Sequence, residues 1–143
     1  EVKVVTQTTA GSPEPIEPIF DADQIQAFQR VVRQVPIAEE VVRYAVRLAS
    51  ASRPRTESAP DFINEWISWG AGLRAAQHLV LGGKARTLLD DRTHVTPDDI
   101  LALAKPVLRH RILVNYRAEA EGITVEGVIE KLLEAVNPAD QSA

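Results

Sequence analysis

The stretch SWGAGLRAAQHL, residues 68–79, puts a guanidinium where a helix favours the opposite charge. Gly70 and Gly72 mark a helix entry, and Arg74 falls in the first turn. A helix N-terminus carries roughly half a positive charge and several N–H groups without partners, so a cation there costs on the order of 0.3–1 kcal/mol. Two arrangements offset that cost. One is an acid supplied from elsewhere, such as Glu65, Asp61 or a neighbouring domain, because Gln77 and His78 occupy the places three and four residues on. The other is a ligand anion. A guanidinium beside free helix N–H groups suits a phosphate, and the small residues Gly70, Ala71 and Gly72 let such a ligand approach the backbone.

The other chemistry-bearing residues point to less. There is no G-x-x-x-x-G-K-[ST] loop to cradle phosphates. His78, His94 and His110 stand apart in the chain, without the i, i+4 spacing that binds zinc. Asp98–Asp99 fits helix-start chemistry and Asp90–Asp91 a solvated helix end, so neither is read as a catalytic pair. The run around LRHRI (Lys105, Arg109, His110, Arg111, Asn115, Tyr116, Arg117) could offer a basic, aromatic face to a phosphate backbone. Glu119 and Glu121 follow at once, which fits a solvated or subunit-contacting face equally well. Autonomous catalysis is therefore not indicated, and no metal ligand set is expected.

The elements that must position these residues read as helices almost throughout, with no convincing strand. Asp21 and Gln24 form a capping-box pattern, with Phe20 and Ile25 placed as a hydrophobic staple. Ile25, Phe28, Val32 and Val35 then make one apolar stripe, which Pro36 ends. The next helix, over AEEVVRYAVRLASAS, carries two acids in its first turn and buries Val41, Val42, Ala45, Leu48 and Ala49. Ser58 and Asp61, with Pro60, are spaced to cap the short helix PDFINEWISW. A longer helix runs from Gly72 to about Asp90, its expected inward face being Leu73, Ala76, Val80, Leu81, Ala85, Leu88 and Leu89. Gly82–Gly83 inside it implies close packing against another helix or a kink. Thr96, Pro97, Asp98 and Asp99 open a further helix sharply. Its apolar positions Ile100, Leu103, Ala104, Val107 and Leu108 continue through Pro106, where a kink or break is expected. The last helix buries Val128, Ile129, Leu132, Leu133 and Val136. The fold class is all-α, a bundle of five to six helices. EVKVV is either a strand or the tail of an earlier helix.

At 143 residues, 45% hydrophobic and 25% charged, the chain suffices for one soluble domain with a real core. No stretch approaches the ~20 apolar residues of a membrane span. Cysteine is absent, which fits a cytosolic protein, and a net charge of −4 argues against a general nucleic-acid binder. The opening residues lack an initiator methionine, so the chain looks cut from something longer. Residues 1–20, with TTAGSPEPIEPIF, read as a connector, 21–137 as the folded body and 138–143 as a frayed tail.

Residues 69–133, from WGAGLRAAQHL through VTPDDI, PVLRHR and AEGIT to EKLL, resemble the C-terminal helical lid of MoxR-family AAA+ ATPases. The upstream run EPIFDADQIQAFQRVVRQVPIAEEVVRYAVRLASASR is similar to the helices that open that lid, so the likeness spans roughly residues 13–136. The family's pattern at the first motif is Gly-Ala-Ser-Pro-Arg-Ala; here Gly72 and Leu73 replace the serine and proline, and the arginine stays. Glycine caps nearly as well as serine, and losing proline removes only some preorganisation. The resemblance implies that Arg74 is the sensor 2 residue that reaches the γ-phosphate of ATP. Gly70, Ala71 and Gly72 would line the same nucleotide contact. It also implies a nucleotide-binding α/β domain before residue 1, holding ATP and Mg with its own phosphate loop. The parent would hydrolyse ATP as a chaperone-like, homo-oligomeric ring, often with von Willebrand factor A-domain partners. This chain alone would be inactive and bind no cofactor tightly. The rival class is a stand-alone helical module that binds protein or nucleic acid through its 105–117 face.

Overall fold

A computed structural model describes residues 1–11 and 16–138, so part of the connector and residues 139–143 of the tail lie outside the described residues. The chain divides into two compact units, Glu1–Arg30 and Val31–Ala143. In the first, α1 (Val2–Thr9) resolves the ambiguity of EVKVV as a helix. Thr6, Thr8 and Thr9 each donate a side-chain hydroxyl to a carbonyl four residues back. The capping box that opens α2 (Ala22–Gln34) is formed: Asp21 N–H donates to Gln24 Oε1 at 2.9 Å, and Gln24 N–H to Asp21 Oδ1 at 2.8 Å. Phe20 packs edge-on to Phe28, with ring centroids 5.3 Å apart. The apolar stripe of this helix is not a core face, however. Ile25 and Phe28 are exposed and Val32 is half-buried; only Val35, just past the helix, is buried.

The second unit is built on α3 (Glu39–Ala51), α5 (Leu73–Leu89), α6 (Pro97–Leu108) and α8 (Val125–Ala135). Helix α5 packs on α6 and α3, and α6 packs on α8. Short helices α4 (Asp61–Trp66) and α7 (Tyr116–Ala120) pair with each other. Two minimal strands, β1 (Ile67–Trp69) and β2 (Leu113–Val114), form an antiparallel ribbon where no strand was expected. With α1 and α7, the described residues hold eight helices, against the five to six expected. Ser58 does not cap α4. Pro60 takes that place with no side-chain bond, and the Ser58 hydroxyl lies 3.2 Å from that of Ser50.

The inward face of α5 is the main correction. Ala75, Ala76, Leu79, Gly83 and Thr87 are buried, whereas Leu73, Leu88 and Leu89 are exposed. Small residues face inward because α6 crosses at close range. A Cβ on Gly83 would stand 3.0 Å from Val95 Cγ1, and one on Gly82 2.9 Å from Leu103 Cδ1. Helix α6 also runs unbroken through Pro106 for two residues more. In α3, Val41, Ala45, Leu48 and Ala49 are buried as expected, Val42 is half-buried, and Tyr44 joins the core. The α8 face holds, with Val128, Ile129 and Leu132 fully buried.

A buried ion network ties the end of α5 to the start of α6. Asp99 is only 1% exposed. Its carboxylate accepts from the Thr96 N–H at 2.9 Å and the Thr96 hydroxyl at 3.2 Å, within a capping box. Arg92 grips both carboxylate oxygens, Nη1 reaching Oδ2 at 3.0 Å, and Arg86 Nε lies 3.3 Å from Oδ1. Both arginines also reach Asp90, so that residue is a paired helix end. The Arg92 guanidinium holds the Asp99 carboxyl down at about 2, against the opposing effect of burial.

Two outcomes follow. Because the folded Asp99 pKa lies below the ordinary value of 3.8, its stabilisation is complete above about pH 4 and is lost as pH falls toward 2. This amounts to on the order of 2 kcal/mol, and Asp99→Asn should flatten that acid limb in denaturant melts while costing about 3–5 kcal/mol at neutral pH. Gly82→Ala and Gly83→Ala should diverge in the same assay. The first gains up to about 1 kcal/mol of helix propensity, because the far end of the Leu103 side chain can swing away. The second loses stability against the stiff, buried Val95.

Candidate functional site

Four chain segments converge at the start of α5. The α3 end supplies Ser52, whose hydroxyl donates to the Ala49 carbonyl at 2.7 Å and accepts from the Ala71 N–H at 2.9 Å. Gly70 lies so close to this turn that a Cβ would stand 2.1 Å from the Ser52 carbonyl oxygen. The smallness of Gly70 and the buried N–H of Ala71 therefore serve the chain's own packing, not the approach of a ligand. Gly72 is different: it caps α5 in an extended conformation, and a Cβ there would meet nothing within 4 Å.

The β1–β2 ribbon brings in the segment that follows α6. Ile67 pairs with Val114 and Trp69 with Leu113, with an irregularity between them. The Ser68 hydroxyl lies 3.0 Å from the Leu113 carbonyl and 3.2 Å from that of Val114. Asn115 locks the far side, its N–H donating to the Trp66 carbonyl at 2.8 Å and its Nδ2 to the Glu65 carbonyl at 2.7 Å.

This junction leaves a shallow cleft of about 430 Å³, in which Arg74 lies with His110, Arg111, Trp69 and Leu113. Trp69 is 70% exposed. Arg74 is exposed and has no acidic partner among the described residues. Glu65 is taken by Arg117 at 2.6 Å. On the other side of Trp69, a smaller cleft of about 260 Å³ is lined by Arg53, Arg55, Thr56 and Ser68. Arg55 holds φ +62°, and its N–H donates to Asn64 Oδ1 at 2.6 Å.

Two sequence readings change here. His78 and His110 do not stand apart, because both rings meet Arg111: Nη2 lies 2.7 Å from His78 Nδ1, and Nη1 contacts His110 Nε2. The basic 105–117 run is not one cationic face either. Lys105 pairs with Glu130 at 2.6 Å, Arg109 with Glu126 at 2.5 Å, and Arg117 with Glu121 at 2.9 Å as well as with Glu65. The Glu126 carboxyl is held below its ordinary value, first by a backbone N–H at the start of α8 and then by Arg109. Of the basic residues in this run, His110 and Arg111 line the cleft. The His78 contact carries no local signal, since His78 and Arg111 are 33 positions apart. Among the described residues, no three His, Cys, Asp or Glu side chains converge on a metal geometry, and no helix is long and apolar enough to cross a membrane.

Residues 62–132 match the AAA lid domain family, and this part of the chain belongs to it. The relatives narrow the class. The chain is 26% identical over 125 residues to the chaperone MoxR1 of Mycobacterium tuberculosis, covering 87% of this chain and 33% of that protein. It is 28% identical to YeaC of Bacillus subtilis, covering 100% of this chain and 42% of that protein. A crystal structure of a candidate ATPase from Cytophaga hutchinsonii superposes with a TM-score of 0.77 at 30% identity, over 95% of this chain and 42% of that one. The chain is thus similar to a MoxR chaperone and to a candidate ATPase, and it spans well under half the length of these relatives.

Substitutions at the junction should separate its two constraints. Gly70→Ala drives a Cβ into backbone atoms and should destabilise by about 3 kcal/mol or more. Ser52→Ala strands the buried Ala71 N–H and should cost about 1–3 kcal/mol, read by thermal or denaturant melts.

Proposed function

We propose that this lid completes a nucleotide site housed on another domain of the same protein, with Arg74 as the sensor 2 residue that reaches the γ-phosphate of ATP. The observation that carries the reading is an exposed first-turn arginine with no acidic partner among the described residues, set in an open cleft. Gly72 lies beside it in open space, so a phosphate can approach the helix end there. Gly70 and Ala71 act only indirectly, by fixing that helix end against the Ser52 turn. Residues 21–137 act as the lid body and 1–20 as the connector to the nucleotide-binding domain.

A cation aimed at the transferring phosphoryl group stabilises the charge that spreads over its oxygens in the transition state. Magnesium does not fit this lid, whose described carboxylates and histidines do not converge. The metal and the phosphate loop belong to the partner domain. On hydrolysis the lid moves as a body and relays nucleotide state around a homo-oligomeric, chaperone-like cytoplasmic ring. A von Willebrand factor A-domain protein is the partner that the MoxR likeness suggests. The chain by itself neither hydrolyses ATP nor binds it tightly.

In the full-length ATPase, Arg74→Ala should lower the hydrolysis rate by up to the order of 10³-fold, by analogy with arginine fingers. Arg74→Lys should rescue it partly, because an ammonium lacks the planar fork. In the lid alone, removing a cation from the positive helix end should leave stability unchanged or raise it by some tenths of a kcal/mol. An Arg74→Ala lid that unfolds, with residual ATPase tracking the folded fraction, would make Arg74 a structural residue and end this reading.

A further inference from the structure

Arg74 shares its cleft with a second guanidinium from a distant part of the chain. Arg111 is half-buried, follows the end of α6 and has no carboxylate partner among the described residues. Its neighbours Lys105, Arg109 and Arg117 each hold at least one carboxylate. What holds Arg111 is a set of neutral acceptors. Nη1 donates to the Val107 carbonyl at 2.5 Å and contacts His110 Nε2, and Nη2 lies 2.7 Å from His78 Nδ1. A ring nitrogen can accept from a guanidinium only when it carries no proton. The two imidazoles therefore orient Arg111 without neutralising it.

Of the five N–H groups of a guanidinium, these contacts use three. The Nε–H and one Nη2 N–H remain as donors without a protein acceptor among the described residues. A partly desolvated cation with unused donors is costly unless an anion meets it. The cleft that would admit such an anion is the one that holds Arg74.

We infer that Arg111 is a second phosphate-contact residue of the Arg74 cleft, oriented by His78 and His110, and that the two arginines together take the terminal phosphates of a nucleoside triphosphate. This rests on the reading of Arg74 as a nucleotide contact. The division of labour is physical. Arg74, exposed on a first turn, has a side chain free to follow the phosphate, whereas Arg111 is pinned by three acceptors and sets where the anion docks. Trp69, on the wall of the same cleft, reports occupancy.

The chain has two tryptophans, so in a Trp66→Phe background the indole emission comes from Trp69 alone. Titrating that chain with inorganic triphosphate should change Trp69 emission in a saturable way, in the millimolar range. Arg74→Gln and Arg111→Gln should each weaken the binding roughly tenfold. Arg109→Gln, which removes a cation already paired with Glu126, should leave it unchanged. If Arg111→Gln does not fold, the wild-type chain answers instead: arginine Nε–H resonances of both Arg74 and Arg111 should shift with triphosphate in side-chain NMR spectra. Loss of binding in Arg74→Gln with none in Arg111→Gln, or a shift at Arg74 alone, would overturn the role of Arg111 and leave Arg74 standing. Absence of saturable binding, or tighter binding of an oligonucleotide than of triphosphate, would overturn the inference outright. The Arg74 reading itself is decided separately, by hydrolysis in the full-length ATPase.

Discussion

The candidate site depends on a contact with no spare room. The backbone at Gly70 lies against the Ser52–Arg53 turn, so near that a methyl group would overlap the Ser52 carbonyl oxygen. One residue on, the Ala71 N–H is buried and satisfied by the Ser52 hydroxyl. This contact sets where α5 begins relative to the end of α3, and so where the first turn of α5 presents Arg74. A side-chain contact could repack around a substitution. A backbone-to-backbone contact cannot, because neither partner has rotamers to change.

Around that anchor the lid is assembled by small residues and by a buried charge. Gly82 and Gly83 allow α6 to lie close on α5, which removes the need for a thick apolar layer between them. Asp99, held by Arg92, Arg86 and Thr96, then closes the turn that joins the two helices. The charge economy of the molecule is uneven. Exposed cations along α6 and α7 find carboxylates, as does the guanidinium pair at Asp99, while those of the Arg74 cleft do not. Surface pairs contribute little to stability; they neutralise cations of α6 and α7, while Arg74 and Arg111, and Arg53 and Arg55 in the neighbouring cleft, hold no carboxylate among the described residues.

Much of the fold was legible because its signals are local. The capping box at Asp21–Gln24 formed where its three-residue spacing placed it, and Thr96 caps α6 as expected, with Asp99 completing a second box. The apolar faces of α3 and α8 held, since each has one dominant stripe. The family likeness rested on short ordered motifs of the same kind, and the AAA lid domain match over 62–132 agrees with it. The α5 face failed for a definite reason. Large apolar residues lie on several sides of that helix, so periodicity could not choose its phase, and the crossing of α6 selected the small ones.

The amino-acid sequence by itself determined the helical class, most helix starts, and the position of Arg74 in a first turn, since each of these is decided within about four residues by caps, prolines and glycines. Only the tertiary structure decided that the Ile25–Phe28 stripe is exposed and that the 105–117 cations are mostly paired with acids. It also decided that His78, His110 and Arg111 meet beside Arg74. Those outcomes depend on which distant segments come into contact. Pair distances, not residue types, set electrostatic compensation, and a charge has no fixed partner until the chain has folded back on itself.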